Sequence, residues 1–276
     1  AYKAVVIATP PSSHFKLAMQ GLKSEKHVLV EKPISLNLSD SEVLRKTAED
    51  MDLTLMVDHI MLYHPVVVDA LKRVKRGELG DIVHARATRG NMGKFRYEDD
   101  VLWDLGPHDV SLMMGLFDRT PISVTAQGSK LLARGSQDLF DIVMAQLSFG
   151  DGVFANIQLN LLSPVLQRNL EVVGLEKMII FDDTNSYNQL TIFESNAEVD
   201  HQTDKVNFRR AVSYSPGIEL SEPLKNMATH FLEAILFKKP VLTDGLHASK
   251  VTSVIEAIEK SLRAEGEKME VSIVTG

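Results

Sequence analysis

Two short runs hold the residue types and spacings for acid–base chemistry. Val28-Leu29-Val30-Glu31-Lys32-Pro33 carries an apolar strand straight into a charged pair and a proline. A buried strand ordinarily stops in turn residues. This one delivers a lysine to its carboxyl end, where open parallel sheets place their ligand crevice. Trp103-Asp104-Leu105-Gly106-Pro107-His108-Asp109 supplies carboxylates and an imidazole, and the four-residue spacing of Asp104 and His108 sets both on one face of a helix. Histidine exchanges protons near neutrality without much tuning. A lysine ammonium can hold a hydroxyl and stabilise a developing alkoxide, and can act as a base if buried or set beside positive charge. Taken singly, each run also has a plainer reading: Lys32 as a solvated loop lysine, Asp104 as a helix cap and His108 as a packing residue.

The elements around Lys32 alternate. Residues 3–9 form a short β-branched run closed by Pro10-Pro11, which predicts a fully buried parallel strand. Ser12 or Ser13 then caps a helix through about Lys23, residues 27–30 form a strand, residues 39–50 a helix, and residues 53–57 a strand ending at Asp58-His59. This βαβαβ order is half of a doubly wound nucleotide-binding sheet. No G-x-G-x-x-G follows a strand, and Ala1 stands two residues before the first buried run. The expectation is an N-terminally truncated sequence lacking about sixty residues, the size of a βαβαβ half-unit. It leaves an unpaired apolar edge at residues 3–9.

From about Ile60 the pattern changes. Residues 63–78 read as a helix with Pro65 in its first turn, and residues 81–89 as an alternating strand. The helix of Asp104 and His108 is expected to begin near Trp103 or Asp104 and to run to about Phe117, so that Pro107 falls in the first turn and costs no hydrogen bond. Strand-like runs follow at 122–128, 138–149, 152–161, 167–173, 178–181 and 190–193, separated by turns such as Gly150-Asp151-Gly152, which predicts hairpin-linked antiparallel neighbours. Residues 195–221 read as a long polar loop with one strand near 210–214; helices return at 222–237 and 246–265. The fold class is thus α/β plus α+β: the C-terminal half of a Rossmann-like parallel sheet, then a domain with a large open, mainly antiparallel sheet flanked by helices.

Composition narrows the function classes. The net charge of −7 over 276 residues and the absence of any long basic block argue against nucleic acid as a partner. No apolar stretch approaches the roughly 20 residues needed to span a bilayer. Zero cysteines exclude disulfides, thiolate nucleophiles and cysteine–zinc sites. The nine histidines form no H-E-x-x-H pattern, so no metal is expected, and no Gly-x-Ser-x-Gly elbow marks a hydrolase. Asp182-Asp183 reads as a turn and Met113-Met114 as core filling.

Together the Glu31-Lys32-Pro33 and Asp104/His108 motifs resemble the Gfo/Idh/MocA family of nicotinamide-dependent sugar oxidoreductases, a resemblance that covers nearly the whole chain, including Glu222-Pro223-Leu224-Lys225-Asn226 and Thr243-Asp244-Gly245. It implies an incomplete NAD(P)-binding Rossmann domain over 1–59 and a substrate and oligomerisation domain over 60–276. It implies hydride transfer between NAD or NADP and a sugar hydroxyl, with His108 as acid/base, Lys32 as alkoxide stabiliser and proton relay, and Asp104 as substrate anchor. Swapped duties between Lys32 and His108 remain open. The Ala8-Thr9-Pro10-Pro11-Ser12-Ser13-His14 run resembles the family's loop beside the nicotinamide, which makes Thr9, Pro10 and His14 cofactor contacts along with Glu31, Lys32 and Pro33. His59 could contact cofactor or substrate or cap a strand end; Tyr63, Arg86, Asn91, Gln158 and Arg168 are substrate-pocket candidates. The version Leu102-Trp103-Asp104-Leu105-Gly106-Pro107-His108-Asp109 resembles the subgroup that oxidises the 3-position of UDP-N-acetyl-hexosamines. A glycosidase using transient oxidation by bound NAD and a non-catalytic sugar or dinucleotide sensor are the alternatives on the same fold. A cytoplasmic homodimer or homotetramer is expected, with no membrane partner and with Val153, Ala155 and Ile157, or else Phe154, Asn156 and Gln158, at the subunit interface. Without the glycine loop, the sequence as it stands is expected to be inactive.

Overall fold

The computed structural model describes residues 2–92, 100–132, 139–194, 197–200, 203–208 and 212–276. The expected strand starts at residue 138 and at residues 210 and 211 lie outside the described residues.

The apolar runs near the amino end form a three-stranded parallel sheet, β1 (Ala4–Ile7), β2 (His27–Glu31) and β3 (Leu55–Asp58), in the order β1-β2-β3. In-register pairs run from Ala4↔His27 to Ile7↔Val30 between β1 and β2, and from Val28↔Leu55 to Glu31↔Asp58 between β2 and β3. Helices α1 (His14–Lys23) and α2 (Leu38–Asp50) connect the strands and bury Ala18, Leu22, Leu44 and Ala48 against Val28, Val30 and Val57. Asn37 caps α2, its side chain accepting from the Asp40 amide at 2.8 Å. The expected serine cap of α1 is not made. A 3-10 turn, Pro11–Ser13, precedes α1, and the Ser13 hydroxyl donates to the Pro10 carbonyl at 2.8 Å instead of accepting from the helix. β1 is an edge strand, and Val6 is 67% exposed.

After α3 (Pro65–Lys75), with Pro65 at its first position, come β4 (Ile82–Gly90), α4 (Val101–Phe117), β5 (Ser123–Ser129), β6 (Ile142–Gly150), β7 (Val153–Asn160), β8 (Gln167–Gly174), β9 (Lys177–Asp182) and β10 (Leu190–Glu194). The hairpins β5–β6–β7 and β8–β9–β10 are antiparallel. β4 departs from the simple meander: it lies between β8 and β7 and runs parallel to β7. Its Ala85 and Ala87, with Ala155 of β7, are buried in the core beneath α4, and such small side chains let a helix sit close to the middle of a sheet. The resulting fold is a small parallel sheet followed by a large mixed, mostly antiparallel one of nine strands.

Two short strands escape the sequence pattern: β11 (Ala197–Asp200) pairs antiparallel with β12 (Lys205–Phe208). The strand expected near 210–214 is β13 (Val212–Tyr214), which pairs with β10. Four-residue strands rich in charge carry no readable alternation. The chain closes with α5 (Pro223–Phe237), α6 (Gly245–Arg263) and the two-residue β14 (Met269–Glu270) beside β5. α6 packs against α2, α4 and β5, and just before it Thr243 binds the free edge of β3: its carbonyl accepts from the Val57 amide at 2.8 Å and its hydroxyl donates to the Val57 carbonyl at 2.7 Å. The C-terminal segment thereby ties the two sheets into one body. Among the described residues no helix is long and apolar enough to cross a membrane.

Candidate active site

The carboxyl ends of β2 and β3 present Glu31, Lys32, Asp58 and His59 together, since parallel strands in register end side by side. The Lys32–Pro33 peptide is cis. Lys32 is half-buried, and its ammonium meets α4: Nζ lies 3.2 Å from Asp104 Oδ1 and also donates to the Asp104 main-chain carbonyl.

The local sequence explains why α4 offers those groups. Asp100 caps the helix, accepting from the Trp103 amide at 3.1 Å, so α4 begins at Val101, earlier than expected. Pro107 therefore lies inside the helix and leaves the Trp103 carbonyl without its usual donor. Gly106 faces α6, where an added Cβ would stand 3.0 Å from Ile255 Cδ1. With Leu102 and Gly106 turned into the core, Asp104 and His108 project toward the carboxyl edge of the small sheet. His108 is half-buried and its Nδ1 has no hydrogen-bond partner. Burial first, then the charges of Arg89 and Lys32, hold its imidazole well below the usual 6.5, so the ring is neutral at neutral pH and free to accept a proton.

A second buried pair braces α4. Arg89 of β4 reaches Asp109 through Nη2 at 2.9 Å and Nε at 3.2 Å, with the Asp109 side chain 3% exposed. Arg168 of β8 stands opposite Arg89 in the ladder, pairs with Asp183 at 3.2 Å, and adds to the positive surroundings of His108. Arg89 is a site residue that sequence reasoning missed. Its signal was the alternation Ala85, Ala87, Arg89 on the buried side of β4.

The remaining candidates separate. Thr9 and Pro10 are exposed beyond β1 and Pro33 is buried. His14 has no exposed surface and spans two loops, Nδ1 to the Pro33 carbonyl at 2.7 Å and Nε2 to the Thr9 carbonyl at 2.8 Å. It is a strut between the loops, with no surface left to offer a ligand. His59 is not a capping residue: it is 2% exposed with neither ring nitrogen bonded, and its ring stands edge-on to His247 at 5.2 Å. Tyr63 is a buried strut to His230 and Thr243. Arg86 and Gln158 lie on the open face of the large sheet, away from α4; Arg86 binds Glu171 there at 2.6 Å. Asn91 is exposed after β4. Asp182 forms the expected turn, accepting from the Thr184 amide at 2.9 Å, and Met113 and Met114 are core residues. Among the described residues no three acidic or histidine side chains gather as a metal site.

The arrangement can therefore hold an oxygen near an ammonium and a neutral imidazole, beside a cluster of polar atoms that no other part of the protein satisfies: Asp58 Oδ1, both His59 nitrogens and His108 Nδ1. Buried polar atoms left unpaired in a crevice call for a bound molecule or solvent.

Residues 1–59 match the oxidoreductase family, NAD-binding Rossmann fold, and residues 67–180 the GFO/IDH/MocA C-terminal domain. A UDP-N-acetylglucosamine 3-dehydrogenase of Acidithiobacillus ferrooxidans is 26% identical over 95% of this chain and 79% of its own length. A solved structure of that enzyme superimposes with a TM-score of 0.80 at 25% identity, covering 95% of this chain and 79% of the other. A scyllo-inositol 2-dehydrogenase (NAD(+)) of Bacillus subtilis is 23% identical over 70% of this chain and 58% of its own length.

Proposed function

We propose, on the premise that this chain belongs to the Gfo/Idh/MocA family of NAD-binding oxidoreductases, that it moves a hydride between NAD or NADP and a hydroxyl-bearing carbon of a sugar, specifically a nucleotide-linked hexosamine. The observation that carries the proposal is the meeting of Lys32 with Asp104 one helical turn before His108. The sugar class is supported by the UDP-N-acetylglucosamine 3-dehydrogenase that matches over 95% of the chain. The same proposal divides the chain at 59/60 into a cofactor-binding part and a part for substrate and assembly, and sets it in the cytoplasm, a compartment that suits a chain without cysteine.

The residues at the carboxyl edge of the small sheet fit the nicotinamide end of a dinucleotide. They include exposed Thr9 and Pro10, half-buried Glu31, and the unpartnered atoms of Asp58 and His59. Thr9, Pro10, Glu31, Lys32 and Pro33 would hold that end. When bound, the nicotinamide supplies the hydride acceptor. His108, neutral and with an open nitrogen, takes the hydroxyl proton. The Lys32 ammonium holds the same oxygen as its negative charge grows, where a fixed cation acts most strongly in a low-dielectric site. Asp104 keeps Lys32 aimed at that point and anchors the sugar. Arg89 and Arg168 keep the surroundings positive, which holds His108 unprotonated and suits an anionic substrate.

The open face of the large sheet, with Met144 and Phe154 exposed among Arg86, Gln146, Asn156 and Gln158, is the proposed surface for a homodimer or homotetramer. Of the two alternating sets on β7, Ala155 and Ile157 are core, so Phe154, Asn156 and Gln158 belong to this surface.

The test is to mix the native protein with NAD or NADP and a panel of free and nucleotide-linked sugars and to follow formation of reduced nicotinamide. Turnover with a nucleotide hexosamine is expected. Glycoside cleavage without net reduction would favour a hydrolytic use of the fold, and binding without turnover a sensor.

A further inference from the structure

Asp58 is a buried ionisable group at the crevice to which the proposed chemistry gives no acid–base part. The parallel register sets it directly opposite Glu31, on strands about 4.8 Å apart, so that both side chains leave the same face of the sheet. Asp58 is 9% exposed and its Oδ1 has no hydrogen-bond partner. Two carboxylates this close, one of them cut off from water, repel strongly when both are ionised, and a single proton between them relieves the repulsion.

The other groups around Asp58 do not remove that need. From β2 and its exit come Glu31 and Lys32, from the short 3-10 turn Ile60–Tyr63 come the Ile60 amide and the Tyr63 phenol, and His59, the next residue, is held neutral by burial. Lys32 alone brings opposite charge, and its Nζ is already engaged by Asp104.

We propose that Glu31 and Asp58 form a one-proton carboxyl pair whose ionisation sets the negative charge that the Lys32 ammonium faces, which makes Asp58 a positioning residue for the lysine. Burial, reinforced by Glu31, pushes Asp58 up to about 7, so the pair changes charge where the enzyme would work. Below that pH the pair carries one negative charge and above it two, so the charge beside the ammonium that steadies an alkoxide changes with pH. The inference rests on the proposed oxidoreductase reading for its consequence, while the pair itself stands on the sheet register and on burial.

Two measurements on native protein, Asp58→Asn and Glu31→Gln separate these. Infrared difference spectra between acid and alkaline pH, recorded without substrate, should show in native protein a protonated carboxyl band that disappears across neutrality; Asp58→Asn should lack it and Glu31→Gln should move it to lower pH. In the pH profile of kcat/KM for sugar oxidation, the alkaline limb should move down by about one pH unit or more in Asp58→Asn, the size of shift one nearby charge produces. A native protein with no carboxyl titrating near neutrality would overturn the pair, whether or not any sugar is oxidised. A band that titrates as expected beside an unmoved alkaline limb would overturn its action on Lys32. If Asp58→Asn does not fold, Glu31→Gln, altered at the half-exposed partner, decides both points.

Discussion

Lys32 and Asp104 join the two halves of the crevice: an ammonium from the end of β2 sits 3.2 Å from a carboxylate in the first turn of α4. Neither side chain is fully buried, at 14% and 21% exposed, so the contact serves more to aim the lysine than to stabilise the fold. Lys32→Ala should lower kcat by roughly 10²–10³, the cost of removing one group that stabilises a developing oxyanion. Asp104→Ala should cost less in kcat, and the double variant should lose no more kcat than Lys32→Ala alone, because in the chemical step the aspartate works through the lysine, while its loss as sugar anchor shows in KM. Steady-state kinetics of the three variants check this; fully additive losses would show that the two act independently.

His108→Ala should lower turnover by roughly 10²–10⁴ while leaving dinucleotide affinity largely intact. The pH dependence has a definite sign. A base must be unprotonated, and the proton affinity of His108 is held below the ordinary 6.5, so its acidic limb should lie below that value. Lowering the pH through 6.5 should leave kcat/KM nearly flat until the depressed value is reached. An NMR titration of the His108 ring should give the same midpoint, and a limb at or above 6.5 would contradict the role.

Much of this site was legible in the sequence. Glu31-Lys32-Pro33 at a strand end and Asp104 with His108 at helical spacing need only local geometry, and both landed at one crevice. What was not legible depended on long-range packing. The place of β4 beside parallel β7, and hence Arg89 beneath α4, follows from tertiary arrangement that a nine-residue strand does not encode. His14 carries the same residue type as a ligand contact and differs only in having two loop carbonyls around it. Pro107 lies inside α4 because Asp100, three residues before the expected start, proved the better cap.

Asp109→Ala should destabilise the protein by about 3–5 kcal/mol, since it strands the Arg89 guanidinium in the core. Urea unfolding measures it. A change under 1 kcal/mol would mean that water reaches Arg89.

Asp58→Asn should raise stability more in alkali than in acid. The folded-state value of Asp58, about 7, lies above the ordinary 3.8, so the proton it holds in the folded state favours folding below 3.8 and progressively less as pH rises through 7. Asparagine has no such loss. The difference in Tm between variant and native protein should therefore grow from pH 4 to pH 8; a difference independent of pH would remove the buried acid.

If the open sheet face carries the proposed homo-oligomer, Met144→Glu with Phe154→Glu should dissociate it by placing like charge there without touching the core. Sedimentation of native and variant protein checks this, and a native protein that is monomeric at micromolar concentration would refute the interface.

The central claim is a hydride taken from a sugar carbon, and isotope transfer tests it most directly. Native protein is given NAD or NADP and a nucleotide-linked hexosamine deuterated at its ring carbons, and the nicotinamide product is examined by mass spectrometry. One deuterium per reduced nicotinamide, with the transfer suppressed in both Lys32→Ala and His108→Ala, is the predicted result. Reduced nicotinamide without deuterium, or transfer unaffected by both substitutions, would contradict it.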